Sequence, residues 1–128
     1  MDYTINRLIP DADIDAIDAR TRDALTDQGF GILTEIDVKS TMKKKLDVEM
    51  PASRILGACN PKMAHQAIGI EPRVGAMQPC NVILRKVEGG VEVNAINPVA
   101  SMQAIENAEL AAVAGQVRDL LAEAVEAI

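Results

Sequence analysis

Two apolar runs joined by a glycine-rich turn place the strongest constraint on the fold of this chain. Residues 80–87, Cys-Asn-Val-Ile-Leu-Arg-Lys-Val, and residues 91–96, Val-Glu-Val-Asn-Ala-Ile, are each typical of a β-strand. Glu88-Gly89-Gly90 lies between them, and glycine accepts the positive φ angle that a tight hairpin turn requires. The chain is therefore predicted to contain an antiparallel sheet.

Three further strands are predicted at residues 2–8, 30–38 and 53–59. The middle segment alternates with a period of two, which places Glu35 and Asp37 side by side on one face. The other face takes the remaining positions of the pattern: Phe30, Ile32, Thr34, Ile36 and Val38.

Apolar residues at helical spacing predict two helices in the first half of the chain. The first begins after Pro10 and stops at Gly29, because glycine commonly ends a helix. A short second helix is predicted at about residues 39–47, with Met42 and Leu46 four residues apart on its buried side.

The second half of the chain carries three more helix signals. Asn60-Pro61 starts one helix, because asparagine caps a helix and proline suits its first position. Two others are predicted near residues 99–106 and 108–127.

Hydrophobic residues make up 48% of the 128 residues, which is enough for one core. We predict a single α+β domain over residues 1–128, with a mainly antiparallel sheet and the helices packed on one face.

Charge and hydrophobicity exclude several classes of function. The chain has 13 basic and 19 acidic residues, a net charge of −6, and its single basic run is Lys43-Lys44-Lys45. We therefore expect no nucleic-acid partner. No apolar stretch approaches the roughly 20 residues of a membrane-spanning helix, and no secretory signal precedes the first strand. We expect no membrane partner and a cytoplasmic location, in which Cys59 and Cys80 stay reduced.

Three ordered motifs resemble the domain of unknown function family 302. They are residues 29–39 with the 43–46 run, residues 54–61 with His65, and residues 79–82. The resemblance covers nearly the whole chain and implies a compact α+β domain similar in topology to the TATA-binding-protein-like fold. It also implies a bacterial or archaeal source and a homodimer, which the open edges of the predicted sheet favour as well. It supplies no reaction.

Cys59 is the strongest candidate for a reactive or ligand-binding residue. It ends a predicted strand directly before the helix that Asn60-Pro61 begins, where free N–H groups and the helix dipole favour an anion such as a thiolate. Lys62 adds a positive charge nearby. The alternative is that Cys59 is a small buried hydrophobic residue of the core.

His65 and Cys80 extend this candidate site. His65 lies one turn into the predicted helix, where an imidazole can activate the Cys59 thiol, or it can be an ordinary solvated histidine. Cys59, His65 and Cys80 together have the ligand types of an open transition-metal site. Their spacing matches no compact zinc module, and the alternative is two separate core cysteines. No other cofactor is indicated.

Charged residues on the predicted strands give a second set of candidates. Glu35 and Asp37 are suitable for paired acid–base chemistry, or they form a solvated strand face with Lys39 as a charge partner. Arg54 can pair with either carboxylate or bind the carboxylate or phosphate of a small anionic ligand.

The leading hypothesis is a cytoplasmic ligand-binding or redox-responsive domain whose site lies around Cys59, His65 and Cys80 and is lined by Glu35, Asp37 and Arg54. One alternative is a non-catalytic oligomerising module with structural cysteines. Another is a small thiol- or metal-dependent enzyme. The nucleotide-binding, serine-hydrolase and zincin motifs are all absent from the sequence, so whether the protein is an enzyme stays open at this point.

Overall fold

The computed structural model describes residues 2–128 and contains one antiparallel sheet of five strands in the order β1-β5-β4-β3-β2. The strands are β1 (Thr4–Pro10), β2 (Gly31–Asp37), β3 (Ser53–Cys59), β4 (Cys80–Val87) and β5 (Gly90–Ile96). The helices are α1 (Ile14–Asp27), α2 (Val38–Leu46), α3 (Pro61–Ile70), α4 (Pro98–Ser101) and α5 (Ala108–Ala127), with a 3₁₀ helix at Pro72–Met77. The predicted α+β class and antiparallel sheet are confirmed.

The two glycines that the sequence assigned to turns adopt the conformation that those turns require. Gly89 joins β4 to β5 with a φ of +88°, and Gly29 follows α1 with a φ of +85°. L-residues with a side chain rarely adopt this region of φ, so glycine is the favoured residue at both positions. The hairpin and the end of the first helix are therefore placed as predicted.

One face of the sheet packs against α1 and α5 and forms an aliphatic core. Leu56, Val82 and Ala95 form a continuous row across β3, β4 and β5 on this face, and all are essentially inaccessible to solvent. Ile17 of α1 and Leu121 of α5 cover the sheet from above. Burial of these side chains contributes roughly 1.5–3 kcal/mol each and is the main force that holds the helices on the sheet.

The opposite face of the sheet is more exposed. Its central row runs from Asn6 through Asn94, Ile83 and Ile55 to Ile36, and Ile36 is 46% exposed. Asn94 is buried on this face because its side-chain amide bonds to Asn6 and Glu92 while its carbonyl oxygen accepts from Arg85. The packing of α1 and α5 on the other face confirms the predicted layer arrangement.

A β-bulge at Leu33 changes the predicted faces of β2. Ile32 pairs with Ala58, whereas Thr34 pairs with Gly57, so Leu33 is an extra residue without a partner of its own on β3. As a result Ile32 shares its face with Glu35, and its predicted grouping with Thr34 and Ile36 is wrong. Glu35 and Asp37 still share one face, as predicted.

Two helix predictions need correction. Leu46 is 66% exposed, because α2 packs on the sheet only through half-buried residues such as Met42 and ends immediately at Asp47 in a left-handed conformation. The helix predicted at 99–106 is the single turn α4. This helix ends at Ser101, and α5 begins separately at Ala108. The Asn107 side chain caps α5 by accepting the Leu110 N–H.

A second apolar cluster lies where α3, the 3₁₀ helix and α4 pack on the first half of α5. Val74 and Leu110 are its most buried members, and Ala67 joins it from α3. This cluster fixes α3 beside the end of the sheet.

Within residues 2–128, no helix combines the length and the apolar character that crossing a membrane demands.

Thr21 in the middle of α1 gives a first test of the packing. It is fully buried, and its Oγ1 has no hydrogen-bond partner among the described residues. An unpaired buried hydroxyl costs about 1–3 kcal/mol, so the isosteric change Thr21→Val is expected to raise the free energy of unfolding by about 1 kcal/mol in urea titrations. Thr26→Val is the matched control, because Thr26 is exposed on the same helix and its hydroxyl donates to the Arg22 carbonyl. A lower stability of Thr21→Val than of wild type would contradict the prediction.

Candidate functional site

The two cysteines come from neighbouring strands. Cys59 is the last residue of β3 and Cys80 the first of β4, and Cys80 is paired across the two strands with Ala58. Both thiols are free, and both side chains are half-buried. The antiparallel pairing of β3 with β4 therefore brings together two cysteines that lie far apart in the sequence.

Both cysteines line one small cavity at the end of the sheet, between α3 and α5, which we call the thiol cavity. Its volume is about 30 Å³. Phe30, Met63 and Val117 are among its other walls, and most of the lining is apolar. A space of this size holds one or two water molecules, whereas pockets for small organic ligands usually measure roughly 300–1,000 Å³.

The position of Cys80 depends on a close contact made by the preceding residue. Pro79 packs against β3 at Gly57, where an added Cβ would lie 2.7 Å from Pro79 Cγ and would also overlap Thr34 Oγ1. Only glycine leaves room for this approach. Pro79 also lines the thiol cavity, so the contact sets both the wall of the cavity and the start of β4.

The N-terminus of α3 is capped by Asn60 rather than by the thiol. The Asn60 side chain accepts the Met63 N–H at 3.3 Å, and its backbone carbonyl accepts the Ala64 N–H at 2.8 Å. Pro61 has no N–H to offer. The predicted helix start is therefore confirmed, but most of the N–H groups that we expected to stabilise a Cys59 thiolate are already occupied or missing.

The Cys80 thiol is kept protonated at neutral pH. Burial raises its pKa from 9.0 to about 11, and the neighbouring Cys59 adds to the rise. Because a thiolate is the nucleophilic form, Cys80 is a poor first nucleophile.

His65 does not join the two cysteines. It is exposed on α3, whereas Met63, Ala64 and Ala67 are the α3 side chains that line the thiol cavity. The predicted Cys–His pair is therefore not formed. Among residues 2–128, no three or more histidine, cysteine, aspartate or glutamate side chains are grouped closely enough to hold a metal ion. The predicted ligand set of Cys59, His65 and Cys80 is likewise not formed.

The charged candidates lie outside the thiol cavity and have structural partners. Asp37 accepts the Ser40 N–H at 2.9 Å and caps α2, and Glu35 forms an ion pair with Arg22 at 3.0 Å. Arg54 does not pair with Glu35 or Asp37 as predicted. Its guanidinium instead reaches α1 and binds two carboxylates there, those of Asp15 and Asp18.

Asp18 is the centre of this charge network. It is 8% exposed and accepts hydrogen bonds from Arg22 at 2.6 Å and from Arg54 at 3.0 Å. Burial raises the pKa of Asp18, but the bonds from the two arginines lower it by more, so the pKa lies below its ordinary value of 3.8. Asp18 was not among the predicted residues, although its i,i+4 spacing to Arg22 is a recognised signal for a helical ion pair.

Comparison with known proteins agrees with the fold. The family model described as domain of unknown function DUF302 matches residues 6–128. This chain belongs to the DUF302 family. A crystal structure of an uncharacterized conserved DUF302 protein from Bacillus stearothermophilus matches with a TM-score of 0.90 at 19% identity, over 97% of this chain and 96% of that one. No curated protein matches. The predicted family and fold are therefore confirmed, and neither comparison names a reaction.

The charge network of this DUF302 protein predicts a measurable loss of stability. Asp18→Asn leaves Arg22 and Arg54 facing a neutral amide, which is expected to lower the free energy of unfolding by roughly 1.5–3 kcal/mol at pH 7. A lowered pKa contributes stability above pH 3.8, and that contribution is lost as the pH falls through the folded-state pKa. The difference between wild type and variant should therefore shrink in acid.

Asp23→Asn is the matched control for this measurement, because Asp23 is exposed on the same helix. Its effect on the free energy of unfolding, measured by urea titration, should stay within about 0.5 kcal/mol. If Asp18→Asn were as mild as this control at pH 7, the network would not stabilise the fold in the way described.

The raised pKa of Cys80 predicts a stability change in alkali. Between pH 9.0 and about 11 the unfolded chain releases the Cys80 proton, whereas the folded protein keeps it. The free energy of unfolding therefore falls as the pH rises through this window, by roughly 2–3 kcal/mol from this group. Cys80→Ala should lose that part of the fall when both proteins are unfolded with urea across the window. Identical pH dependence in the two proteins would show that Cys80 ionises equally easily in the folded and unfolded states.

Proposed function

We propose that this protein is a thiol-based redox sensor in which Cys59 reacts with an oxidant and Cys80 then closes an intramolecular disulfide. The observation that carries the proposal is the opening of two free thiols from adjacent strands into one cavity. A cavity of about 30 Å³ is too small to enclose an organic substrate, whereas the half-buried Cys59 can still be reached by an oxidant from outside the cavity. A cytoplasmic location, where thiols are held reduced, suits such a sensor.

The backbone spacing is compatible with a disulfide. Cys80 pairs with Ala58, so Cys59 lies one residue along the neighbouring strand. Neighbouring strands are separated by about 4.8 Å and rise about 3.3 Å per residue, which puts the two Cα atoms roughly 6 Å apart. Disulfides span Cα–Cα distances of about 4.4–6.8 Å. Strand alternation alone would put the two side chains on opposite faces of the sheet, but Cys59 is the last residue of β3 and both cysteines line the thiol cavity.

The reaction balances with a low-molecular-weight disulfide as the oxidant. The Cys59 thiolate attacks one sulfur of that disulfide, its S–S bond breaks, and the leaving thiolate takes up a proton. Cys80 then gives up its proton and attacks the Cys59 sulfur, which releases the second small thiol. Two electrons pass from the protein to the oxidant, and the two cysteine protons end on the two released thiols.

The different surroundings of the two thiols support this order of events. The raised pKa of Cys80 slows its direct attack on an external disulfide, but the mixed disulfide on Cys59 would form beside it. Intramolecular attack tolerates a weak nucleophile because the effective concentration of a neighbouring group is high. Among the described lining residues none carries an ionisable group apart from the two thiols, so capture of a small anion in this cavity has less support.

Reaction of the reduced protein with glutathione disulfide tests the proposal. Mass spectrometry of wild type should show one intramolecular disulfide that joins Cys59 to Cys80. Cys80→Ser should stop as the glutathione mixed disulfide on Cys59, and Cys59→Ser should react far more slowly at Cys80. Circular dichroism of each variant establishes that it is folded.

Two outcomes would overturn the redox assignment. One is a wild-type protein that stops at mixed disulfides without joining its cysteines, and this result does not depend on whether either serine variant folds. The other is faster reaction at Cys80 than at Cys59.

The predicted homodimer stays a prediction, and exposed apolar residues on the less covered sheet face, such as Leu8 and Ile36, are suited to such a contact.

A further inference from the structure

The thiol cavity is rich in sulfur. Four of its lining side chains carry a sulfur atom: Cys59, Met63, Cys80 and Met102. They come from four different elements, namely the end of β3, the first turn of α3, the start of β4 and the end of α4. The cavity thus collects both cysteines of the chain and two of its six methionines.

The other walls of the cavity select against most metal ions. Among the described residues that line it there is no carboxylate and no imidazole, and Asn60 and Gln78 are its only side-chain amides. Hard cations need oxygen ligands, and zinc sites in proteins usually combine thiolates with imidazole or further thiolates. Thiolate and thioether sulfur are soft ligands and select Cu(I).

We propose that the reduced protein binds one Cu(I) ion in the thiol cavity, with the Cys59 thiolate and the thioethers of Met63 and Met102 as its ligands. Charge favours a monovalent ion, because one thiolate neutralises it in an apolar space. The Cys59 thiol proton leaves to water as the copper–sulfur bond forms. A volume of about 30 Å³ admits a bare ion and excludes an ion with its hydration shell.

This inference extends the proposed thiol site but needs only the two reduced cysteines. It does not require that they form a disulfide. The methionines separate the two ideas, because a thioether has no part in thiol–disulfide exchange and is a ligand for Cu(I). The alternative role of Met63 and Met102 is to fill space in the core, which leucine of similar volume does almost as well.

Anaerobic titration with Cu(I), in competition with the chromophoric chelator bicinchoninate, tests the site. Wild type should withdraw one equivalent of copper from the chelator. Met63→Leu and Met102→Leu keep both thiols and the packing volume, and each should weaken Cu(I) binding by about tenfold or more. Met77→Leu is the matched control, because Met77 is 40% exposed and lies outside the cavity. Cys59→Ser should abolish binding.

The copper assignment fails if wild type does not bind one equivalent, or if both methionine variants bind Cu(I) as tightly as wild type. Excess Zn²⁺ should not displace the copper, and displacement would also overturn the assignment. The two methionine variants should still form the Cys59–Cys80 disulfide with glutathione disulfide. Loss of disulfide formation with retained copper binding would remove the redox proposal alone, and the reverse result would remove the copper proposal alone.

Discussion

The placement of the Cys80 thiol depends on the missing side chain at Gly57. Pro79 occupies the space where a Cβ of residue 57 would lie, and Thr34 closes the same space from β2. The chain enters β4 directly after Pro79, so this contact determines where Cys80 begins the strand opposite Ala58. Any residue larger than glycine would push Pro79 outward and move the Cys80 thiol with it.

Arginines on the core-facing side of the sheet hold both of its covering helices. Arg54 on β3 binds the α1 carboxylates of Asp15 and Asp18, and Arg7 on β1 donates to three carbonyl groups at the end of α5, at 2.7–3.0 Å. A cation at a helix C-terminus also interacts favourably with the helix dipole. These charges lie away from the thiol cavity, which leaves that cavity neutral and bounded by apolar walls from α3 and α5.

The sequence predicted the features that local chemistry controls. The Gly89 turn and the Asn60-Pro61 helix start are each determined by neighbouring residues, and both occur where they were expected. The bulge at Leu33 could not be predicted, because it appears only when β2 is aligned with β3. The partners of Arg54 were missed for a similar reason, since they lie on a helix some 36–39 positions away in sequence.

The face of α3 that carries His65 could have been predicted more closely. Met63, Ala67 and Ile70 follow the i, i+4, i+7 spacing of one buried stripe, and at about 100° per residue His65 lies roughly opposite it. The cavity itself could not be foreseen, because its walls come from segments that meet only in the folded chain. Distance along the helix places His65 near Cys59, whereas its angle around the helix places it on the exposed side.

Oxidation and copper binding exclude each other in a cavity of this kind. A disulfide between Cys59 and Cys80 leaves no Cys59 thiolate to bind a Cu(I) ion, whereas a bound ion keeps Cys59 from attacking an oxidant. The apolar surroundings that raise the pKa of Cys80 disfavour its free thiolate, so Cys80 stays protonated until an oxidant has reacted at Cys59. The same burial therefore favours partners that react with a thiolate sulfur once it forms, such as a disulfide oxidant or a thiophilic ion.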